Sequence, residues 1–301
     1  MTALKGLQGR AAVLSLLILA TLVMLWHAST APRAPQVGAV TAPVTLTAEQ
    51  IEYAKLMGKD PASLAAGGAG ESKKAGGFPT PVQMGQAIVS NLSDPFYDNG
   101  PNDKGIGIQL AHSLGRVGLG FAIAALVAIP LGFLIGMSPL LYKALDPFIQ
   151  VLKPISPLAW MPLALYTIKD SSISGIFVIF ICSVWPMLIN TAFGVAGVRR
   201  DWLNVAKTLE VSPLRKAFTV ILPAAAPTIL TGMRISMGIA WLVIVAAEML
   251  VGGTGVGYFV WNEWNNLALT NVIFAILLIG VVGMLLDLVF AQAQKAVTYV
   301  D

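Results

Sequence analysis

Four ionisable side chains sit inside stretches otherwise too apolar to meet water: Lys153, Arg234, Glu248 and Asp287. A charge in hydrocarbon is costly, so each such residue either pairs across helices or lines a path for a solute. Arg234 lies in the run Thr-Gly-Met-Arg-Ile-Ser-Met-Gly, among small residues that let helices approach closely. Glu248 follows fourteen residues later, close to a whole number of helical turns. The two can therefore face one side, although they are too far apart to pair. Lys153 stands beside Pro154 and Pro157, where a helix must break. Asp287, near the inner end of the last apolar run, reads as interfacial. Two cations against one carboxylate favour an anion in transit. The competing reading is that Arg234 and Glu248 pair with other helices and only hold the bundle together.

Enzymatic chemistry finds little support. No His/Glu, Ser/His or Asp/Asp constellation falls within the apolar runs. The glycine clusters at 67–70 and 252–257 lack the Gly-Lys-Ser/Thr ending of a phosphate-binding loop, so ATP has no site in this chain. Cys182 is the single cysteine, and His27 and His112 are too scattered for a metal site.

The elements that must position these charges are membrane spans. Hydrophobic residues make up 56% of the chain and charged residues 11%, against about a quarter in a soluble domain. Mean hydropathy is +0.76. The composition predicts an all-α, polytopic membrane protein with about six transmembrane helices, each needing about 20 apolar residues. The runs are 11–26, 112–137, 150–168, 172–195, 224–250 and 269–293. Pro154, Pro157 and Pro162 predict a kinked or broken third span. The first run, preceded by Lys5 and Arg10, also has the pattern of a signal peptide, with Ala-Ser-Thr-Ala at 28–31 as a cleavage site. Its length favours a retained anchor. Residues 31–107 read as an extracytoplasmic spacer, with one short helix over 47–65 and a flexible linker over 65–77. The domain boundaries are then 1–30, 31–107 and 108–295.

Net charge is +4, but the basic residues lie between spans, where they set topology rather than bind nucleic acid. With the N-terminus inside, the inner segments carry Lys5, Arg10, Lys143, Arg199, Arg200, Lys207, Arg215, Lys216 and Lys295. The short outer loops carry Lys169 alone. Both termini are therefore expected on the cytoplasmic side.

The interval 198–217 is too charged to span. Trp202, Val205 and Leu209 share one helical face. Ser212-Pro213 signals a restart, with Ser as N-cap and Pro as first helical residue. Leu214, Phe218 and Ile221 form a second apolar face, and Pro223 bounds the module. Without a partner, this would be an amphipathic interfacial hairpin.

This interval resembles the ATPase-docking loop of ABC importer permeases, whose pattern runs from Glu-Ala-Ala through a Gly to a closing Ile-x-Leu-Pro. Here Asn204-Val205-Ala206 takes the first place, Glu210 the Gly place, and Val220-Ile221-Leu222-Pro223 the last. Glu210 stands where Gly normally supplies a positive φ, so the sequence does not secure the tight turn. Within that family, AWLVIVAAEML (240–250), which contains Trp241, is similar to permeases for nitrate, taurine and alkanesulfonates. DPFYDNGPNDKGIGIQLAHSLGRV (94–117), KPISPLAW (153–160), VWPMLINTAFGV (184–195) and GGTGVGYFVWNEWNNL (252–267) look like the nitrate-transport branch.

The resemblance implies a type I ABC importer permease in the bacterial inner membrane, working as a homodimer. It implies two cytoplasmic ATPase subunits that use ATP and Mg, docked at 199–218, and an extracytoplasmic nitrate-binding protein. It places Asn204, Val205, Ala206, Lys207, Glu210, Ser212, Pro213 and Arg215 at the docking loop. Arg234, Lys153, Glu248 and Trp241 are expected along the substrate path. Trp261, Asn262, Trp264 and Asn265 are expected at an outer gate or binding-protein contact, beside a re-entrant turn made by the glycines of 252–257. An importer of cyanate, bicarbonate, taurine or alkanesulfonate has the same build. A membrane scaffold that moves nothing is the remaining alternative.

Overall fold

The computed structural model describes residues 2–30, 78–100 and 103–297. The expected helix over 47–65 and linker over 65–77 lie outside the described residues. The chain divides into two compact units, Met1–Gln86 and Ala87–Asp301.

In the first unit, α1 (Thr2–Thr30) contains the first apolar run. Its side chains Leu14, Leu17 and Leu22 are exposed, as expected of a helix whose solvent is lipid. Its outer end is tied down. The indole N–H of Trp26 donates to the carbonyl of Pro79 at 2.9 Å, and the Trp26 ring meets Phe78 edge-on. A further helix, α2 (Pro81–Ser93), begins within the range assigned to the spacer and runs into the second unit.

The second unit is a helical bundle built around α6 (Ser171–Ala196), which lies between α3 (Ile106–Met137) and α9 (Leu222–Val251). Close approach rests on missing side chains. A Cβ on Gly132 would meet Leu188 O and Thr191 Cβ at 2.7 Å, and one on Gly232 would meet Asn190 Cβ at 2.6 Å. Small and β-branched residues fill the seams, among them Ala124, Ala128, Val178, Ala240 and Val243.

Between α3 and α6 lie α4 (Pro139–Leu152) and α5 (Pro157–Ile168), bent by 90° at Lys153–Ser156. The break expected from the prolines is present. The stretch read as a loop near 138–149 is helical, however, because Pro139 occupies its first turn and the Ser138 hydroxyl accepts from Leu141 N–H. Its charges, Lys143 and Asp146, disguise a helix whose other positions are mostly apolar.

A polar hairpin follows α6: α7 (Arg200–Thr208), one turn of α8 (Pro213–Lys216), and a π turn over Ala217–Ile221 that continues into α9. Pro223 therefore does not bound the module. It lacks an N–H, and the wider π turn, closed by Leu222 N–H on the Ala217 carbonyl, carries the helix past it. After α9, Gly252 and Gly253 adopt positive φ. The segment expected as a re-entrant turn then forms a helix, α10 (Val256–Asn265), before the closing α11 (Leu269–Val297).

Among the described residues, five stretches are long and apolar enough to cross a membrane: Gly9–Thr30, Ile106–Met137, Ser171–Ala196, Pro213–Val251 and Leu269–Val297. The bent α4–α5 pair makes a sixth if it crosses as one.

Candidate functional site

The hairpin after α6 keeps its tight turn without glycine. Glu210 itself adopts φ 51°. Val211 N–H donates to the Ala206 carbonyl and Glu210 N–H to the Lys207 carbonyl, each at 3.0 Å. This is the Schellman arrangement, with Glu210 in the left-handed position that ends α7. The chain restarts at once. Pro213 is the first residue of α8 and Lys216 N–H donates to the Ser212 carbonyl at 2.9 Å. Ser212 occupies the N-cap position, but its hydroxyl makes no cap bond. Inwardly, Ala206 and Ile221 are buried, and Ile221 joins Val195, Val198, Ala225 and Ile229. Outwardly, Trp202, Val205, Leu209, Leu214 and Phe218 are exposed, beside the exposed Asn204, Lys207 and Arg215. The result is a stiff apolar knob on a charged base, fused to a membrane helix.

At the far end of α9 lies a buried ionic cluster. Glu248, 4% exposed, accepts from Arg116 Nη1 at 2.7 Å, from the Ser113 hydroxyl at 2.8 and 2.9 Å, and from Gly257 N–H at 3.0 Å. Arg116 also donates to Ser172 Oγ and the Thr254 carbonyl. Gln109 accepts from Gly255 N–H at 2.6 Å, and Ser113 accepts from Val256 N–H at 2.9 Å. The first turn of α10 thus spends its free N–H groups on side chains of α3 and α9, with a carboxylate at its positive end. A cavity of about 10 Å³, room for about one water, adjoins Arg116, Glu248, Ser171 and Gly175.

A second ion pair joins α9 to α11. Arg234 Nε and Nη2 donate to the two carboxylate oxygens of Asp287 at 2.5 and 2.6 Å. Thr231 and Gln294 continue the seam, linked at 2.8 Å.

Residues 128–298 match the family model for the binding-protein-dependent transport system inner membrane component. The chain belongs to this family. It is 46% identical to the nitrate import permease protein NrtB of Synechocystis, over 75% of this chain and 82% of that one. It is 47% identical to the bicarbonate transport system permease protein CmpB of the same organism, over 68% and 74%. The taurine transport system permease protein TauC of Escherichia coli is 32% identical over 73% and 79%. An inward-facing structure of the MetNI methionine ABC transporter superposes with a TM-score of 0.57 at 15% identity, covering 64% of this chain and 95% of that one. That likeness supports the importer-permease fold. The chain is an integral inner-membrane protein.

The permease places its expected site residues unevenly. Lys153 is exposed at the α4–α5 bend; its backbone N–H donates to the Ile149 carbonyl at 2.9 Å, and its ammonium has no hydrogen bond or ion pair among the described residues. Arg234 and Glu248 each have a partner on another helix. Trp241 is buried, and its indole N–H donates to the Ile279 carbonyl of α11 at 2.9 Å. Trp261 and Trp264 are exposed on α10. Asn262 is half-buried, and the exposed Asn265 turns back to the Trp261 carbonyl. Arg116 escaped the sequence reading. The criterion that picked out Arg234, a charge within an apolar run, applies equally to Arg116 in 112–137. Asp287 is an ion-pair partner as well as a residue near a span end.

Proposed function

We propose that the chain is the membrane-spanning subunit of an ATP-driven nitrate importer, receiving the anion from an extracytoplasmic binding protein. The observation that carries this reading is identity in the mid-forties to nitrate import permeases across three quarters of the chain. Two copies form the path between them. Two ATPase chains, which bind the ATP and Mg, seat the knob of α7 and α8 on their surface. Its stiffness and its continuity with α9 suit it to transmit rigid-body motion. The permease itself transports and catalyses no bond making.

Within the path, Lys153 and Arg234 are the cations that stabilise the passing anion. Glu248 and Trp241 fix helices against one another, given their burial and their filled hydrogen bonds. Trp261, Asn262, Trp264 and Asn265 form the outer gate or the surface that meets the binding protein.

Bicarbonate import is a second reading, because a bicarbonate permease is as similar as the nitrate permeases. The deciding experiment reconstitutes the permease with its ATPase and binding protein. Nitrate should stimulate ATP hydrolysis and be taken up, with bicarbonate competing weakly. Stimulation by bicarbonate alone would replace the first reading with the second.

A further inference from the structure

The two ion pairs on α9 differ in kind. The pair at Glu248 is buried, with 4% of the glutamate and 14% of the arginine side chain exposed. The pair at Arg234 keeps 38% of the arginine and 49% of the aspartate exposed. Arg234 lies about 26 Å along α9 from Val251, and Asp287 about 27 Å along α11 from Leu269, at 1.5 Å per residue. The hydrocarbon core is about 30 Å thick. The pair therefore sits near the inner edge of the apolar layer, at matching depth on both helices. A half-exposed charge pair is costly against acyl chains, which favours a face of α9 and α11 that meets water.

The geometry of the pair carries more. Nε and Nη2 of Arg234 reach one oxygen each of Asp287, a fork-to-fork contact. That fork matches two oxygens on one centre, the geometry in which arginine grips carboxylate and phosphate groups. A carboxylate has this shape, and so do nitrate and bicarbonate.

We propose that Arg234 is a binding residue for a small oxyanion in the path, gripped by two of its oxygens, and that Asp287 is its resident counter-anion. Cargo displaces Asp287 from the guanidinium, and Asp287 reclaims it as the anion leaves toward the cytoplasm. The two partners sit on different helices, and α9 alone continues into the π turn and the knob. A shift of α9 against α11 therefore opens the fork when the ATPase moves. This inference rests on the importer reading.

The test uses the full complex with ATPase and binding protein in proteoliposomes, and labelled nitrate and bicarbonate as probes. In Arg234→Lys, which keeps the charge but loses the fork, the KM for uptake should rise at least about tenfold, the loss expected for a charge-assisted bidentate contact. In Asp287→Asn, labelled anion should be retained by the complex and turnover should fall. The double variant Arg234→Met with Asp287→Leu removes both charges and leaves none orphaned, so a structural pair would be dispensable in it. Its uptake should nonetheless be lost. Wild-type uptake by the double variant, or an unchanged KM in Arg234→Lys, overturns the site while leaving the importer reading intact. A wild-type complex that moves neither probe overturns both.

Discussion

Glu210 holds a left-handed backbone where a side chain is a burden. An L-residue with a Cβ pays about 1 kcal/mol for that conformation, which Gly adopts freely. Glu210→Gly should therefore raise the thermal midpoint of the purified permease, by about 1 kcal/mol of stability, without altering the fold. A lowered midpoint would mean that the Glu210 side chain contributes a contact that outweighs its strain. The glutamate at 248 is bound by the opposite logic. Its carboxylate has three kinds of donor and almost no water, so removing one partner leaves a buried charge unmatched. Arg116→Ala is expected to destabilise the permease by about 3–5 kcal/mol, read as a drop in unfolding midpoint. A loss of only a few tenths would show that water already solvates the pair. Gly257 belongs to the same cluster, since a Cβ there would press on Glu248 Cβ at 2.9 Å. A cross-helix pairing of Glu248 was among the sequence readings, but its partner was not, because Arg116 and Glu248 lie 132 residues apart and charge alone does not name its partner. The glycines of 252–257 were visible, but the carboxylate that fills the space beside them was not.

Among the elements, the knob separates stability from docking. Ala206 is buried in α7, and Pro at this position would remove a helical N–H and clash with the preceding turn. Ala206→Pro should abolish co-purification of the ATPase, and retained co-purification would sink the docking assignment. Leu214 and Phe218 give a cleaner comparison because both are exposed, at 75% and 67%. Leu214→Ser with Phe218→Ser should change the stability of the isolated permease by no more than about 0.5 kcal/mol per site while weakening ATPase co-purification. Equal recovery of the ATPase would place its contact elsewhere. The first face of this hairpin, Trp202, Val205 and Leu209, was readable from apolar spacing and the α4–α5 break from proline, but the second was not one face: Leu214 and Phe218 are exposed whereas Ile221 is buried in the core. The π turn was not readable. Pro223 ends a helix in isolation, but here the preceding turn widens and the helix runs on into the membrane. The helix α4 was hidden for a related reason, since Lys143 and Asp146 look like loop residues until Ser138 and Pro139 are recognised as a helix start.

At the scale of the molecule, charge asymmetry and span count must agree on one orientation. The knob carries Arg199, Arg200, Lys207, Arg215 and Lys216, and the far ends of α9 and α11 carry none of this positive charge. The positive-inside rule then puts the knob in the cytoplasm and α10 on the opposite side. The chain has a single cysteine, Cys182, within α6, so orientation can be tested directly after Cys182→Ser. A cysteine introduced at Leu267, 88% exposed beyond α10, should react with an impermeant maleimide on intact cells. One introduced at Leu209, 70% exposed on the knob, should react only after the membrane is opened. The reverse pattern would invert the permease. It would put the knob out of reach of any cytoplasmic ATPase and turn the Arg234–Asp287 pair, near the inner edge of the bilayer in this orientation, toward the outside.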